Sequence, residues 1–439
     1  MTAIMLFART PAALLQIEEA ECGFGAADMG NKGAVGLRVV WSDGKPAADG
    51  DEEASPRTTE LTFVATHLAA MEWNLKKRNA NWRSIVSGLT FENPKTAIPG
   101  VFPVNTSLPN SDDDGTVPLE DSDSSPDAPA DSEDSDTRPL LDRRRSSGFH
   151  PDHPDLTAAH HATLHDMSVF KPTSHLFLSG DLNYRISTSA PPAGAPFPSF
   201  DADSPHHWAT FLRRDQLTQE RTAGRTLTGL SEAEVAFGPS YKYDVLDDAA
   251  GAENEVAARE EGEVPWKWAP HRWPSWCDRI LYLDVPSWTR RRLRQKAAAA
   301  AAGAGSKDGA DAQRGEVVVK AYDSMPVVVT SDHRPVFLRV QVPVLGPKEM
   351  APPMPLAEEE LEDESGVLVE TLLEEDLADP RVSLPVPIDV HAWERRAAAR
   401  RREIVVGWSM FLWSTREGAA VIATTLAVGV GCWWAWRLW

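Results

Sequence analysis

Four short clusters carry residue types that could do chemistry together. Ser179-Gly180-Asp181-Leu182-Asn183 directly follows the apolar run Leu176–Leu178. A carboxylate and an amide two residues apart at a strand end point the same way. There Asp181 could take a proton from water and Asn183 could donate to a developing oxyanion. Thr330-Ser331-Asp332-His333-Arg334-Pro335 follows Val327–Val329 and sets a candidate metal carboxylate beside an imidazole able to act on phosphate. Asp278-Arg279 interrupts the apolar stretch Trp276–Leu281, and buried charge needs a partner. Asp278 could therefore orient His333 through a ring N–H, or simply pair with Arg279. His67 lies just past the run Leu61–Thr66.

Each cluster alone has a structural reading as a turn, an ion pair or a packed histidine. Together, Asp181, Asn183, Asp278, Asp332, His333 and His67 form the set needed to hold a divalent cation, activate water and stabilise a five-coordinate phosphorus. Oxygen ligands without cysteine suit Mg²⁺ better than zinc.

The elements that must position these groups are visible as pattern. Leu37–Trp41 and Leu61–Thr66 predict strands, and residues 74–89 predict a helix. Strands are also expected at Val317–Tyr322 and Val336–Val342. From about 92 to 173 the chain turns Pro-, Ser- and Asp-rich and includes Arg143-Arg144-Arg145-Ser146-Ser147, which reads as a disordered acidic insertion. A Glu- and Ala-rich loop is expected near 249–263, a low-complexity loop at about 289–315, and an acidic Pro- and Glu-rich linker over 344–390. The catalytic domain should thus occupy residues 1–343.

The net charge of −21 is localised: residues 111–140 hold 11 acids against one arginine, and 357–380 hold 11 acids and no base. The remainder is near neutral, so a nucleic-acid partner, which needs a basic face, is not expected. Cys22, Cys277 and Cys432 are far apart and predict neither a disulfide framework nor a zinc site. No cleaved leader is expected, because Met1–Thr10 lacks a basic stretch followed by a long apolar run.

Residues 391–439 read as a basic juxtamembrane segment and a membrane anchor. Gly418–Trp436 is 19 residues without a charge, long enough to cross a hydrocarbon core of about 30 Å as a helix. Trp433, Trp434 and Trp436 suit a headgroup boundary, and Arg395, Arg396, Arg400, Arg401 and Arg402 suit the cytosolic side. Ile404–Trp413 is too short to span and suits the interface.

The motifs resemble those of the inositol polyphosphate 5-phosphatases. In family order they are MGNKGAVGLRV (29–39), FVATHLAA (63–70), RNANW (78–82), LSGDLNYRI (178–186), FGPSYKYD (237–244), RWPSWCDRIL (272–281) and SDHRPV (331–336). The resemblance implies an endonuclease/exonuclease/phosphatase (DNase I-like) α/β sandwich of two mixed sheets flanked by helices. It implies magnesium-dependent removal of the 5-phosphate from phosphatidylinositol 4,5-bisphosphate or a related inositol polyphosphate. In it Asp181 is the base, Asn183 steadies the transition state, and His333, oriented by Asp278 and helped by His67, contacts the phosphate. Asp332 and Asp181 lie near the metal, Tyr241 and Lys242 grip the neighbouring phosphate, and Lys32 and Arg279 add positive charge. The bare catalytic domain with a C-terminal anchor looks most like the fungal tail-anchored members of the endoplasmic reticulum, and a monomer is expected.

Departures from the pattern accompany the match. The family's principal metal-binding Glu and an Asn precede the strand that Ile4–Arg9 resembles, so the chain as written is expected to be truncated and poorly active. Glu18, Glu19 and Glu21 are expected on the loop before the GNKG block. Pro270 stands where a Lys is frequent, and Ser240 where Thr is usual. Two other readings stay open: a catalytically impaired, membrane-tethered phosphoinositide-binding protein, and a nuclease of the same fold.

Overall fold

The computed structural model describes residues 2–25, 28, 30, 32–44, 57–99, 101, 156–246, 264–303, 315–353 and 372–439. Three long strands come first: β1 (Leu14–Gly23), β2 (Gly33–Ser42) and β3 (Thr58–His67). Helices α1 (Leu75–Gly88), α2 (Pro94–Ala97) and α3 (Ala158–Met167) precede β4 (Ser174–Asp181). Then follow α4 (Trp208–Leu212), α5 (Gln216–Thr222), β5 (Tyr243–Val245), β6 (Trp266–Trp268) and β7 (Asp278–Tyr282). The remaining elements are α6 (Ser287–Gly303), β8 (Val318–Ser324), β9 (Val336–Gln341), α7 (Pro347–Met350), α8 (Ala392–Ser414) and α9 (Arg416–Leu438).

Five strands form one mixed sheet in the order β1-β2-β3-β4-β7, with β3 and β4 parallel and the other pairs antiparallel. The second layer is built from two antiparallel pairs, β5–β6 and β8–β9. Ile280 of β7 packs in one apolar cluster with Tyr322, Val336 and Leu338 of β8–β9. On the other face, Val64, Leu176 and Leu178 bury against Trp82, Ile85 and Val86 of α1. Burying such side chains stabilises by roughly 1.5–3 kcal/mol each.

Several expectations need correction. Ile4–Arg9 joins no strand ladder, while Glu18, Glu19 and Glu21 lie on β1 rather than on a loop. A main-chain ladder does not need apolar side chains, and acids are tolerated on an edge strand. Both ends of the expected insertion are ordered helices, α2 and α3; residues 102–155, with the Arg143–Ser147 run, lie outside the described residues. Buried Arg38 explains the return end: its guanidinium donates to the Ser168 and Asp166 carbonyls at 2.5 and 3.1 Å.

The expected loop at 289–315 begins as helix α6, because alanine is the strongest helix former. Buried Trp288 anchors it by donating to the Met350 carbonyl at 2.9 Å. The expected linker also packs where it is described. Leu345, Met350, Ile388 and Val390 are buried, and Arg381 donates to the Asp284 carbonyl at 2.7 Å. Residues 247–263, 304–314 and 354–371 lie outside the described set.

Candidate active site

One register row crosses the whole sheet: Gly23 pairs with Gly33, Gly33 with His67, His67 with Asp181, and Asp181 with Asp278. Pairing therefore brings three chemistry-bearing residues, distant in sequence, to one sheet end. Gly180 permits the close approach of β4 to β3: it has φ +142°, and a Cβ there would lie 1.9 Å from the Thr66 carbonyl oxygen.

Asp181 is gripped at both oxygens. The Asn183 main-chain N–H donates to Oδ1 at 3.0 Å and its Nδ2 to Oδ2 at 2.9 Å. Asn183 holds this pose at φ +57°, a left-handed conformation that Asn tolerates better than most residues. Its Nδ2 also donates to the Leu68 carbonyl at 3.2 Å. His67 Nε2 lies 3.1 Å from Asp181 Oδ2, and Lys32 Nζ meets that same ring nitrogen.

The second half is built on Asp278. Its Oδ2 lies 2.7 Å from His333 Nδ1 and accepts from Ser240 Oγ at 2.8 Å. The His333 ring is tilted against Tyr241 at 4.7 Å between centroids. Asp332 Oδ2 pairs with Lys242 Nζ at 2.5 Å, and its Oδ1 is 4.0 Å from His333 Nε2.

Electrostatics divides the two central carboxylates. Burial opposes charge on Asp181, but the His67 hydrogen bond and the positive fields of His333 and Arg185 outweigh it, so its carboxyl sits below the ordinary range. Burial and repulsion from Asp181 push Asp278 upward despite the His333 bond. Burial works against charged His333, yet Asp278 raises its basicity. Burial lowers the Lys32 pKa against the pull of Asp181; burial also opposes charge on Lys242 and Asp332, but their mutual hydrogen bond outweighs it and raises Lys242 while lowering Asp332. Two acids driven apart in this way suit an ionised base beside a histidine-orienting carboxyl.

Asp181, Asn183, Asp278, His333, His67, Lys32, Tyr241, Lys242 and Asp332 thus converge on one region. Arg279 does not. Its guanidinium is 1% exposed and pairs with Asp215 at 3.0 Å and Glu232 at 2.6 Å, so it cannot reach substrate. Its strand neighbour Asp278 faces the opposite side of the sheet, which is the alternation of a strand. Among the described residues, ligand atoms of Asp181, Asp278 and His333 lie within 4.8 Å of one another. Two carboxylates in this group give a hard cation oxygen donors.

Sequence reasoning missed Ser240 and Arg185. Ser240 was read as a minor departure, yet it holds Asp278. Arg185, part of the LSGDLNYRI block, donates to Asn183. Their only sequence signal was adjacency to groups already chosen.

An α/β sheet with a carboxylate, an amide and an Asp–His pair at one end defines the endonuclease/exonuclease/phosphatase class of fold. Residues 1–339 match the model described as endonuclease/exonuclease/phosphatase family 2, and the chain belongs to that family. Among curated relatives, the type I inositol polyphosphate 5-phosphatase 5 of Arabidopsis thaliana is 36% identical over 103 residues, 24% of this chain and 16% of the relative. The type II inositol polyphosphate 5-phosphatase 15 of that plant is 26% identical over 319 residues, 72% of this chain and 20% of the relative. A probable inositol polyphosphate 5-phosphatase of Schizosaccharomyces pombe is 36% identical over 113 residues, 25% of this chain and 8% of the relative. The chain spans a fifth or less of the length of these three relatives. A solved inositol polyphosphate 5-phosphatase domain of SPsynaptojanin, in complex with inositol (1,4)-bisphosphate and a calcium ion, is similar at 20% identity and TM-score 0.38, covering 77% of this chain and 58% of that one.

Proposed function

We propose that this chain hydrolyses the 5-phosphate of a membrane phosphoinositide, with phosphatidylinositol 4,5-bisphosphate as substrate. The observation that carries the reading is the register row His67–Asp181–Asp278, with His333 bonded to Asp278. Asp181, held ionised by its neighbours, takes the proton of the attacking water. His333 bonds Asp278 through Nδ1, which leaves Nε2 to donate to a phosphoryl oxygen. Lys242 and Lys32 add positive charge for phosphates next to the scissile one, and Tyr241 holds the His333 ring against rotation. The carboxylate of Asp181, with Asp278 beside it, would hold Mg²⁺, which would supply positive charge to the phosphoryl group when bound, while Asp332 is engaged by Lys242.

Helix α9 is long and apolar enough to cross a membrane by length and composition, with mean hydropathy 1.6. We assign it as the anchor that keeps the site near its lipid. Helix α8 fastens anchor to domain: Trp393 Nε1 donates to Thr90 at 2.8 Å, and Arg396 and Arg400 pair with Glu21 at 3.1 and 2.7 Å.

The test is phosphate release from vesicles containing phosphatidylinositol 4,5-bisphosphate by the 439-residue chain, with and without Mg²⁺. Magnesium-dependent loss of the 5-phosphate alone, even at a low rate, supports the reading. Lipid binding without release would instead establish the impaired binding protein, and cleavage of abasic DNA the nuclease.

A further inference from the structure

Arg185 is 3% exposed, beneath the site rather than in it. Its Nη2 donates to Asn183 Oδ1 at 2.5 Å, and its Nε donates to the Asn183 main-chain carbonyl at 3.1 Å. The guanidinium carbon lies 4.3 Å from the centre of the Tyr241 ring. The Arg185 main-chain N–H is anchored at 3.0 Å on Gln216 Oε1, which also accepts from Arg78 at 2.9 Å.

A carboxamide is nearly symmetric in shape but not in chemistry: one end only accepts, the other only donates. A guanidinium only donates. An arginine at one end of the Asn183 amide therefore requires that end to be oxygen. The amino end is then turned to the Asp181 carboxylate at 2.9 Å and the Leu68 carbonyl at 3.2 Å. Rotating the amide by half a turn would set N–H against N–H at Arg185 and oxygen against oxygen at Asp181. It would lose three hydrogen bonds, and a buried polar group left unpaired is strongly disfavoured.

We propose that Arg185 is a positioning residue: it sets the Asn183 carboxamide so that its N–H groups face Asp181 and the Leu68 carbonyl. The inference rests on reading Asp181 and Asn183 as parts of a hydrolytic site. Arg185 acts through the amide, not on substrate, so its removal should slow turnover without weakening substrate binding.

The experiment compares full chains carrying Arg185→Met, Arg185→Lys, Asn183→Ala and the Asn183→Ala/Arg185→Met pair, each checked for folding by thermal melting. Arg185→Met should lower kcat about 10–100-fold, since small misplacements of catalytic groups are costly, with KM within about threefold of the parent. Arg185→Lys should recover part of that loss through its single ammonium donor. In the Asn183→Ala background, Arg185→Met should add less than about threefold, because the group it positions is already gone. Losses that multiply in the double variant, or a raised KM with kcat unchanged, would overturn the proposal. If the parent chain releases no phosphate, the enzymatic reading fails by that result alone. A crystal structure of Arg185→Met then decides this inference: Asn183 should leave its contacts with Asp181 and Leu68, and an unmoved amide refutes it.

Discussion

Asp181 and Asp278 are cross-strand partners on β4 and β7, and their surroundings drive their acidities in opposite directions. Asp181 has two N–H donors from Asn183, a histidine and a nearby guanidinium favouring its charge. Asp278 has His333 and Ser240, but it also feels the charge of Asp181.

Replacing Asp181 with Asn should lower kcat by about 10²–10⁴-fold, the usual contribution of a positioned base. Because its surroundings favour the ionised carboxylate, removing that charge gives up stability, and the melting temperature should fall modestly. Phosphate-release kinetics beside a thermal melt test both halves. Unchanged turnover would remove Asp181 from the mechanism.

Asp278→Asn should leave His333 in place but without its anionic partner. A fall in kcat of about 10²-fold or more is expected, since proton transfer by a positioned histidine is worth that much. A variant that instead raises KM and keeps kcat would show that His333 only binds.

Arg279→Met should act on stability. It strands Asp215, 0% exposed at its side chain, without its guanidinium and leaves Glu232, 4% exposed, with Arg221 as its remaining arginine; breaking a buried pair of this kind usually destabilises by about 3–5 kcal/mol. Denaturant midpoints measure this loss. Arg279→Lys that folds normally yet raises KM tenfold would return Arg279 to the substrate site.

Glu21→Lys should release α8 from β1 by turning its pairs with Arg396 and Arg400 into repulsions. Partly exposed pairs of this kind are worth only about 0–1 kcal/mol, so the melting temperature should barely change. Tryptic cleavage at Arg400, Arg401 or Arg402 should accelerate several-fold, and equal cleavage rates would show that other contacts hold the helix.

His175 is fully buried, and burial followed by repulsion from Arg381 lowers its pKa from 6.5 to about 4. Between those values the unfolded chain holds more protons, so this contribution to stability is complete above pH 6.5 and is lost as pH falls towards 4. A shift of that size corresponds to roughly 3 kcal/mol. His175→Leu should flatten the acid side of a stability–pH curve obtained from denaturant midpoints; a slope equal to the parent's would refute the assignment.

Motif order sufficed to read the fold class, and the strand-end clusters sufficed to nominate Asp181, Asn183, Asp278, His333 and His67. Both depend on local pattern: apolar runs that must become strands, and polar groups at their ends. Composition misled at the two described ends of 92–173 and over the described parts of 289–315 and 344–390, where averages over many residues concealed anchored stretches such as α3, α6 and the turn around buried Arg381.

What the sequence alone determined was which side chains stand at strand ends, because alternation along a strand is a local property. Which of them meet was decided by strand register, a relation between segments about a hundred residues apart. That register aligned His67, Asp181 and Asp278, and alternation along β7 turned Arg279 to the far side, onto two buried acids that lie at other points of the chain.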